Sequence, residues 1–333
     1  MTSNENPSRH RCLVTGAGGF IGSHLVERLV REGAQVRAFV HYNSRNDWGN
    51  LELIDPAIKR DIEVMTGDMA DPFSVRNAVR GTQVVYHLAS LIAIPYSYVA
   101  PQSYVTTNVQ GAVNVLQAAR DEGVERVVHT STSECYGTAR YVPIDEQHPL
   151  QGQSPYSASK IGADMIAESY WRSFQVPVAI IRPFNTFGPR QSARAVIPTI
   201  IAQALGGGPI KLGALAPTRD MNYVDNTVDG FVAIAKHPAA VGEVINVGSG
   251  REISVGDLAR LIVGLIGSKS EIVEDTARMR PAGSEVERLL CGNGKANRLV
   301  GWTSKVDLET GLRRTIEWFE RNLGRYKADL YNV

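Results

Sequence analysis

A tyrosine and a lysine four residues apart, in Tyr156-Ser157-Ala158-Ser159-Lys160, have the types and spacing for proton transfer. On a helix they share one face, one turn apart. An ammonium beside a phenol favours the phenolate and is expected to pull its pKa down from about 10. A phenol brought towards neutrality exchanges a proton with a sugar hydroxyl. Far upstream, Gly16, Gly19 and Gly22 stand between the apolar run Cys12-Leu13-Val14 and an apolar pattern of helical spacing from Phe20 to Val26. That order reads strand, tight turn, helix N-terminus. Backbone N–H groups and the helix dipole attract phosphate there. Gly16 would allow the turn, Gly19 the close approach of a pyrophosphate, and Gly22 close helix–strand packing. Alone, each motif also fits a ligand-free turn or a solvated helix face; together they reinforce one another.

The elements that must position these residues alternate. Strand-like runs at 36–40, 62–65, 84–88, 124–130 and 178–181 are separated by helical patterns at 23–32, 72–80, 104–122 and 156–174. Alternation of this kind implies an α/β fold, a Rossmann-type doubly wound parallel sheet covered on both faces. Its ligands sit outside the carboxyl ends of the strands. After Pro183 prolines and glycines become frequent and segments shorten. The expected organisation is a loose tail over 1–10 and a dinucleotide-binding domain over 11–185. A smaller mixed α/β substrate domain follows over 186–333, with 220–248 packing back on the first. Residues 308–323 read as an amphipathic helix.

With 35 Lys and Arg against 34 Asp and Glu, the chain is near neutral, so no nucleic-acid or membrane partner is expected. The charge-free stretch 195–210 is broken by Pro198 and Gly206-Gly207-Gly208, which argues against a membrane span. Three widely spaced cysteines, Cys12, Cys135 and Cys291, suit core thiols in a reducing cytosol. No apolar run follows the polar start, so no secretory leader is expected. No metal site is expected.

On the two motifs together, from Leu13 to about Trp318, the chain resembles the extended short-chain dehydrogenase/reductase family, the nucleotide-sugar epimerases and dehydratases. The resemblance implies a dinucleotide held by Gly16, Gly19, Phe20, Ile21 and Gly22, by Asp68 and Met69 beside the adenine, and by Leu88, Ala89 and Ser131 under it. Tyr156 and Lys160 complete that set. Asn108, in Asn-Val-x-Gly, resembles a structural helix motif. The nucleotide sugar would meet Asn185 in Arg182-Pro183-Phe184-Asn185, Val196, Lys211, Arg219, Arg280 and Glu285. Arginine suits a diphosphate because its planar fork makes paired, charge-assisted bonds. The cofactor is NAD or NADP. A carboxylate after the second strand would select NAD, but Asn43, Ser44 and Arg45 stand there and no acid follows before Asp47. Members are commonly homodimers packed through helices equivalent to 104–122 and 156–174, and a cytoplasmic homodimer is expected.

The segment His129-Thr130-Ser131-Thr132-Ser133-Glu134-Cys135-Tyr136-Gly137 resembles the one that decides the reaction in this family. Thr132 would hydrogen-bond the sugar C4 oxygen with Tyr156. A carboxylate at Glu134 supplies a base, which a simple 4-epimerase does not need. Thr132-Ser133-Glu134 is compatible with a 4,6-dehydratase, whose usual pattern is Thr-Asp-Glu, and with a nucleotide-glucuronate decarboxylase. Residues 91–98, 151–156, 188–195 and 217–220 resemble the N-acetylhexosamine-nucleotide 4,6-dehydratases of nonulosonic (legionaminic-type) acid pathways. That points to a dehydratase acting on a nucleotide hexosamine.

Overall fold

The computed structural model describes residues 10–326; the expected tail lies, but for His10, outside the described residues. Among the described residues thirteen strands run in chain order: β1 Arg11–Thr15, β2 Gln35–His41, β3 Ile62–Gly67, β4 Val84–His87, β5 Arg126–Thr130, β6 Val178–Pro183, β7 Asn185–Phe187, β8 Ile210–Leu212, β9 Thr218–Tyr223, β10 Val244–Val247, β11 Glu252–Ser254, β12 Ile272–Glu274 and β13 Arg288–Leu289. Seven form one parallel sheet in the order β10-β6-β5-β4-β1-β2-β3. The alternation expected from sequence is therefore present, and β10, from the 220–248 stretch, adds the strand beside β6.

Side chains on a strand point alternately to opposite faces, so the sheet divides the core in two. Cys12 and Val14 join one apolar cluster with Leu25, Val26 and Phe231. Leu13 joins the other with Val75, Val79, Val115 and Ala167. The first is covered by the helices Phe20–Arg31 and Val224–Lys236, the second by Pro72–Val79, Gly111–Asp121 and Pro155–Phe174. Beyond the carboxyl ends of the sheet lie a small sheet of β11, β9 and β13, with β7 on β9, and the ladder β12–β8. The helix Leu308–Asn322 buries Leu312, Ile316 and Phe319 against the first cluster.

The differences from the sequence reading have local causes. The first helix begins at Phe20 rather than at 23, because Gly19 takes the N-cap and the apolar pattern continues through the turn. The expected helix 104–122 begins at Pro101 and contains a π-helical turn, Val105–Gln110. Such turns are common at functional sites. Here it carries Asn108, whose Oδ1 accepts from Leu91 N (2.8 Å) and whose Nδ2 donates to Leu91 O (3.0 Å) and Ser159 Oγ (2.9 Å). One amide thus joins the segment after β4 to the helix bearing Tyr156. The short helices Pro56–Arg60 and Ile94–Val99 went unanticipated; fewer than two turns leave no period to read.

Candidate active site

The glycine turn packs backbone against backbone. Gly16 has φ +68°, and a Cβ there would come 2.8 Å from Ala89 N. At Gly22 it would come 2.2 Å from Gly16 O. The helix Phe20–Arg31 that follows has no side-chain cap and no acid in its first turn. By contrast Asp55, Asp71, Ser154 and Asp307 cap four other helices. First-turn N–H groups with no side-chain cap and no competing carboxylate suit a pyrophosphate. Phe20 and Ile21 are half-buried against the core.

Thr15, not foreseen from sequence, fixes the floor of this turn. Its Oγ1 accepts from Leu88 N and Ala89 N (3.1 Å each) and lies 2.9 Å from His87 Nδ1. Both lone pairs are used, so the hydroxyl proton goes to His87 Nδ1 and the ring proton sits on Nε2. Met69 is buried and passes its carbonyl to Asn114 Nδ2 (2.8 Å). Asp68 is exposed and accepts from Ala70 N (2.9 Å). After β2 the three expected cofactor residues separate. Asn43 is spent on the loop: its Oδ1 accepts from Arg45 N and Asp47 N, and its Nδ2 donates to Asp47 O. Ser44 and Arg45 remain exposed.

Thr132, Ser133, Tyr156 and Lys160 are buried, while Glu134 is half-buried. β5 ends at Thr130, and Thr132 caps the following turn by accepting from Glu134 N (3.2 Å). A reciprocal Ser154–Ser157 cap fixes the start of the helix Pro155–Phe174 two residues before Tyr156. One expectation is corrected. Lys160 Nζ does not hydrogen-bond the phenol; it donates to Thr130 O at 2.5 Å. Burial then dominates, and the Tyr156 pKa is raised rather than lowered, with the Thr132 hydroxyl opposing the rise. The Ser131 hydroxyl donates to Asp164 Oδ2 (2.6 Å).

The charge of Glu134 acts on both neighbours, raising the Tyr156 phenol pKa and favouring the charged Arg219 guanidinium. Its carboxylate has no ion pair or hydrogen bond among the described residues, so a capping or bridging role leaves no trace. Arg219, on β9, is 7% exposed and pairs with Glu285 at 3.1 Å; Arg280 Nη1 lies 3.7 Å from the same carboxylate. Arg280 Nη1 and Asn185 Oδ1 are buried without a hydrogen-bond partner, a donor and an acceptor left for something outside the chain. Two residues missed as site members pin this loop. Tyr98 Oη meets Ser284 Oγ at 2.6 Å, and Gln153 Nε2 donates to Gly283 O and Glu285 O at 3.4 Å. Both fall within stretches already notable in the sequence, 91–98 and 151–156. Val196 is half-buried and packs on the core, and Lys211 is exposed on β8, whose partner β12 leads towards Arg280.

His87 and His129 lie beneath the site, ring centroids 5.4 Å apart and planes tilted by 41°. Burial first lowers both pKa values; at His24, burial and then the Arg190 charge bring it to about 3. Below pH 6.5 the unfolded chain takes up protons that these folded groups refuse, so stability falls with pH. The slope approaches about 1.4 kcal/mol per pH unit for each histidine. Thermal unfolding scans are expected to show a steep drop in Tm between about pH 6.5 and 5, shallower in His24→Asn. A Tm flat across that interval would contradict it.

Residues 13–315 match the family model described as GDP-mannose 4,6 dehydratase. A UDP-glucose 4-epimerase from Mycolicibacterium smegmatis is 35% identical, over 93% of this chain and 98% of its own length. A UDP-glucuronic acid decarboxylase from Xenopus tropicalis is 32% identical over 97% of this chain and 75% of its own. Among solved structures, a double mutant of DesIV, a dTDP-glucose 4,6-dehydratase from Streptomyces venezuelae with NAD bound, superposes with a TM-score of 0.88. It is 30% identical, and the match covers 95% of this chain and 99% of that one. The chain therefore belongs to the GDP-mannose 4,6-dehydratase-type, extended short-chain dehydrogenase/reductase family, whose members include nucleotide-sugar dehydratases, epimerases and decarboxylases.

Proposed function

We propose that this chain is an NAD(P)-dependent nucleotide-sugar 4,6-dehydratase that converts a nucleoside-diphosphate hexosamine, N-acetylglucosamine by preference, to its 4-keto-6-deoxy sugar. The carrying observation is Glu134, an unpaired carboxylate whose charge acts on the Tyr156 phenol. A base beside the proton-transfer residue is what elimination needs and simple 4-epimerisation does not. Residues 11–185 would hold the dinucleotide, on Gly16, Gly19, Gly22 and the uncapped first turn after them. Residues 186–333 would hold the nucleotide sugar, with Asn185, Arg219 and Arg280 on its diphosphate. The N-acetylhexosamine branch rests on the resemblance of residues 91–98 and 151–156.

A dinucleotide held by Gly16, Gly19 and Gly22 would supply the acceptor for a hydride from C4 and its return at C6. Tyr156 takes the C4 hydroxyl proton, with Thr132 holding the same oxygen. The C4 ketone acidifies the C5 hydrogen, which Glu134 removes. The C5–C6 double bond forms as the C6 oxygen leaves with a proton, as water. Ser133 stands where a dehydratase usually has an acidic donor, so that proton comes from Glu134 itself or through Ser133 and a water. As C6 receives the hydride, C5 takes a proton from solvent and Tyr156 releases the C4 hydroxyl proton to solvent, so the net change is loss of one water with no net oxidation. Three buried unpaired thiols support a cytoplasmic placement. Exposed Val105, Met165 and Phe174 on the helices expected to pair support a homodimer.

Mass spectrometry of products from a panel of nucleotide hexoses and hexosamines tests the reading. A product lighter by one water is expected. Unchanged mass would mark an epimerase. Carbon dioxide from a nucleotide-glucuronate would mark a decarboxylase, which the shared Thr132-Ser133-Glu134 segment also fits. Titration with each dinucleotide separates NAD from NADP.

A further inference from the structure

Beneath the candidate site one carboxylate gathers an unusual set of donors. Asp164 is 0% exposed and lies one helical turn beyond Lys160. Its Oδ2 accepts from Ser131 Oγ (2.6 Å), Arg182 Nη2 (2.9 Å) and Arg182 Nε (3.2 Å). Its Oδ1 faces His129 Nε2 at 3.4 Å. Arg182 is itself anchored, its Nη1 donating to the Tyr136 hydroxyl (3.1 Å), which donates to Asn246 Oδ1 (2.8 Å). Arg182 pairs directly with this buried anion, and Lys160, one turn earlier on the same helix, lies within reach of its charge while donating its hydrogen bond to Thr130 O (2.5 Å).

The groups facing Lys160 come from every side. Tyr156 and Asp164 lie on its own helix, His129 on β5, His87 on β4, and Cys135 on the turn after β5. The histidines are held neutral by burial, and the Cys135 thiol is pushed up to about 12. Asp164 is the ionised one, and its charge favours the ammonium against the penalty of burial. It also holds Ser131, whose backbone N–H donates to Ile181 O (2.8 Å) and from which the chain turns into Thr132 and Glu134.

We propose that Asp164 is a positioning residue of the reaction: its carboxylate supplies the countercharge for the Lys160 ammonium and fixes, through Ser131, the segment that presents Thr132 and Glu134. This rests on Tyr156 and Lys160 being the proton-transfer pair. Without the countercharge the ammonium is harder to keep, the phenolate loses support, and proton transfer from the C4 hydroxyl requires a higher pH.

The test is the pH profile of Asp164→Asn. The acid limb of kcat is expected to move up by about one pH unit, lowering kcat on that limb about tenfold. KM for the nucleotide sugar should stay within about threefold, since Arg219, Arg280 and Asn185 are untouched. If the single variant does not fold because Arg182 is left unpaired, Asp164→Asn/Arg182→Met removes both buried charges, a replacement such sites often tolerate; the same upward move is expected. A folded variant whose acid limb stays in place overturns the proposal, whether its rate is retained or lost evenly at all pH values; an even loss is what packing alone would give. Tyr156→Phe, run in parallel, separates the two ideas. Wild-type turnover in that variant sinks the proton-transfer pair, whereas an inactive Tyr156→Phe beside an unshifted Asp164→Asn sinks only the role of Asp164.

Discussion

Glu134→Gln is expected to oxidise the sugar at C4 and go no further. The substitution keeps size and removes the basic oxygen. Because Glu134 has no hydrogen bond or ion pair to lose among the described residues, the fold should not notice. Tm should move by less than the equivalent of about 0.5 kcal/mol, as for ordinary surface changes. Loss of a positioned base costs about 100- to 10,000-fold in rate, and the loss should fall on the step at C5 alone. In deuterated water the wild type is expected to incorporate solvent deuterium at C5, and the variant to incorporate none. A trace of 4-keto sugar still bearing its C6 hydroxyl is expected from the variant. Full turnover with solvent exchange at C5 in Glu134→Gln would refute the assignment of the base and, with it, the choice of dehydratase over epimerase.

What could be read from the amino-acid sequence was whatever is local and periodic. The strands of the parallel sheet announce themselves because strands buried on both faces are nearly continuous apolar runs, and Val178 to Pro183 is buried throughout. The glycine turn was legible because a left-handed Gly16 and a crowded Gly22 admit almost no other residue. What failed were statements about where a side chain spends its hydrogen bonds. Lys160 and Tyr156 share a helix face, yet the ammonium goes to the Thr130 carbonyl, a partner supplied by a strand 30 residues earlier. The Ser131 hydroxyl likewise reaches Asp164, 33 residues away. Thr15, Tyr98 and Gln153 act through partners 72 to 186 residues distant, and a single sequence carries no signal for such pairs. Asp164 was within reach, one turn beyond the lysine, but a lone helical aspartate reads as a solvated face until Arg182 is brought beneath it by β6.

Tyr156→Phe is expected to fail one step earlier than Glu134→Gln, and the contrast is the strongest check on the order of events. The ring packs with Ile94 and Tyr104, edge-on to the latter at 6.2 Å, and phenylalanine keeps all of that. Losing one buried hydroxyl should cost about 0.5–1.5 kcal/mol of stability. Proton removal at C4 would vanish with the oxygen. Turnover should fall about 100- to 10,000-fold, the worth of a positioned proton acceptor. Solvent exchange at C5 should disappear too, because no ketone forms to acidify that hydrogen. The pH dependence adds a sign. Burial holds the Tyr156 phenol above its ordinary value of about 10, so at neutral pH the free chain carries it protonated. Below its pKa in the complex, the wild-type rate should therefore rise with pH, and the residual rate of Tyr156→Phe should show no such limb. Exchange at C5 surviving in Tyr156→Phe would mean that another group takes the C4 proton; loss of exchange there together with survival of C4 oxidation in Glu134→Gln would place the two residues on successive steps of one elimination.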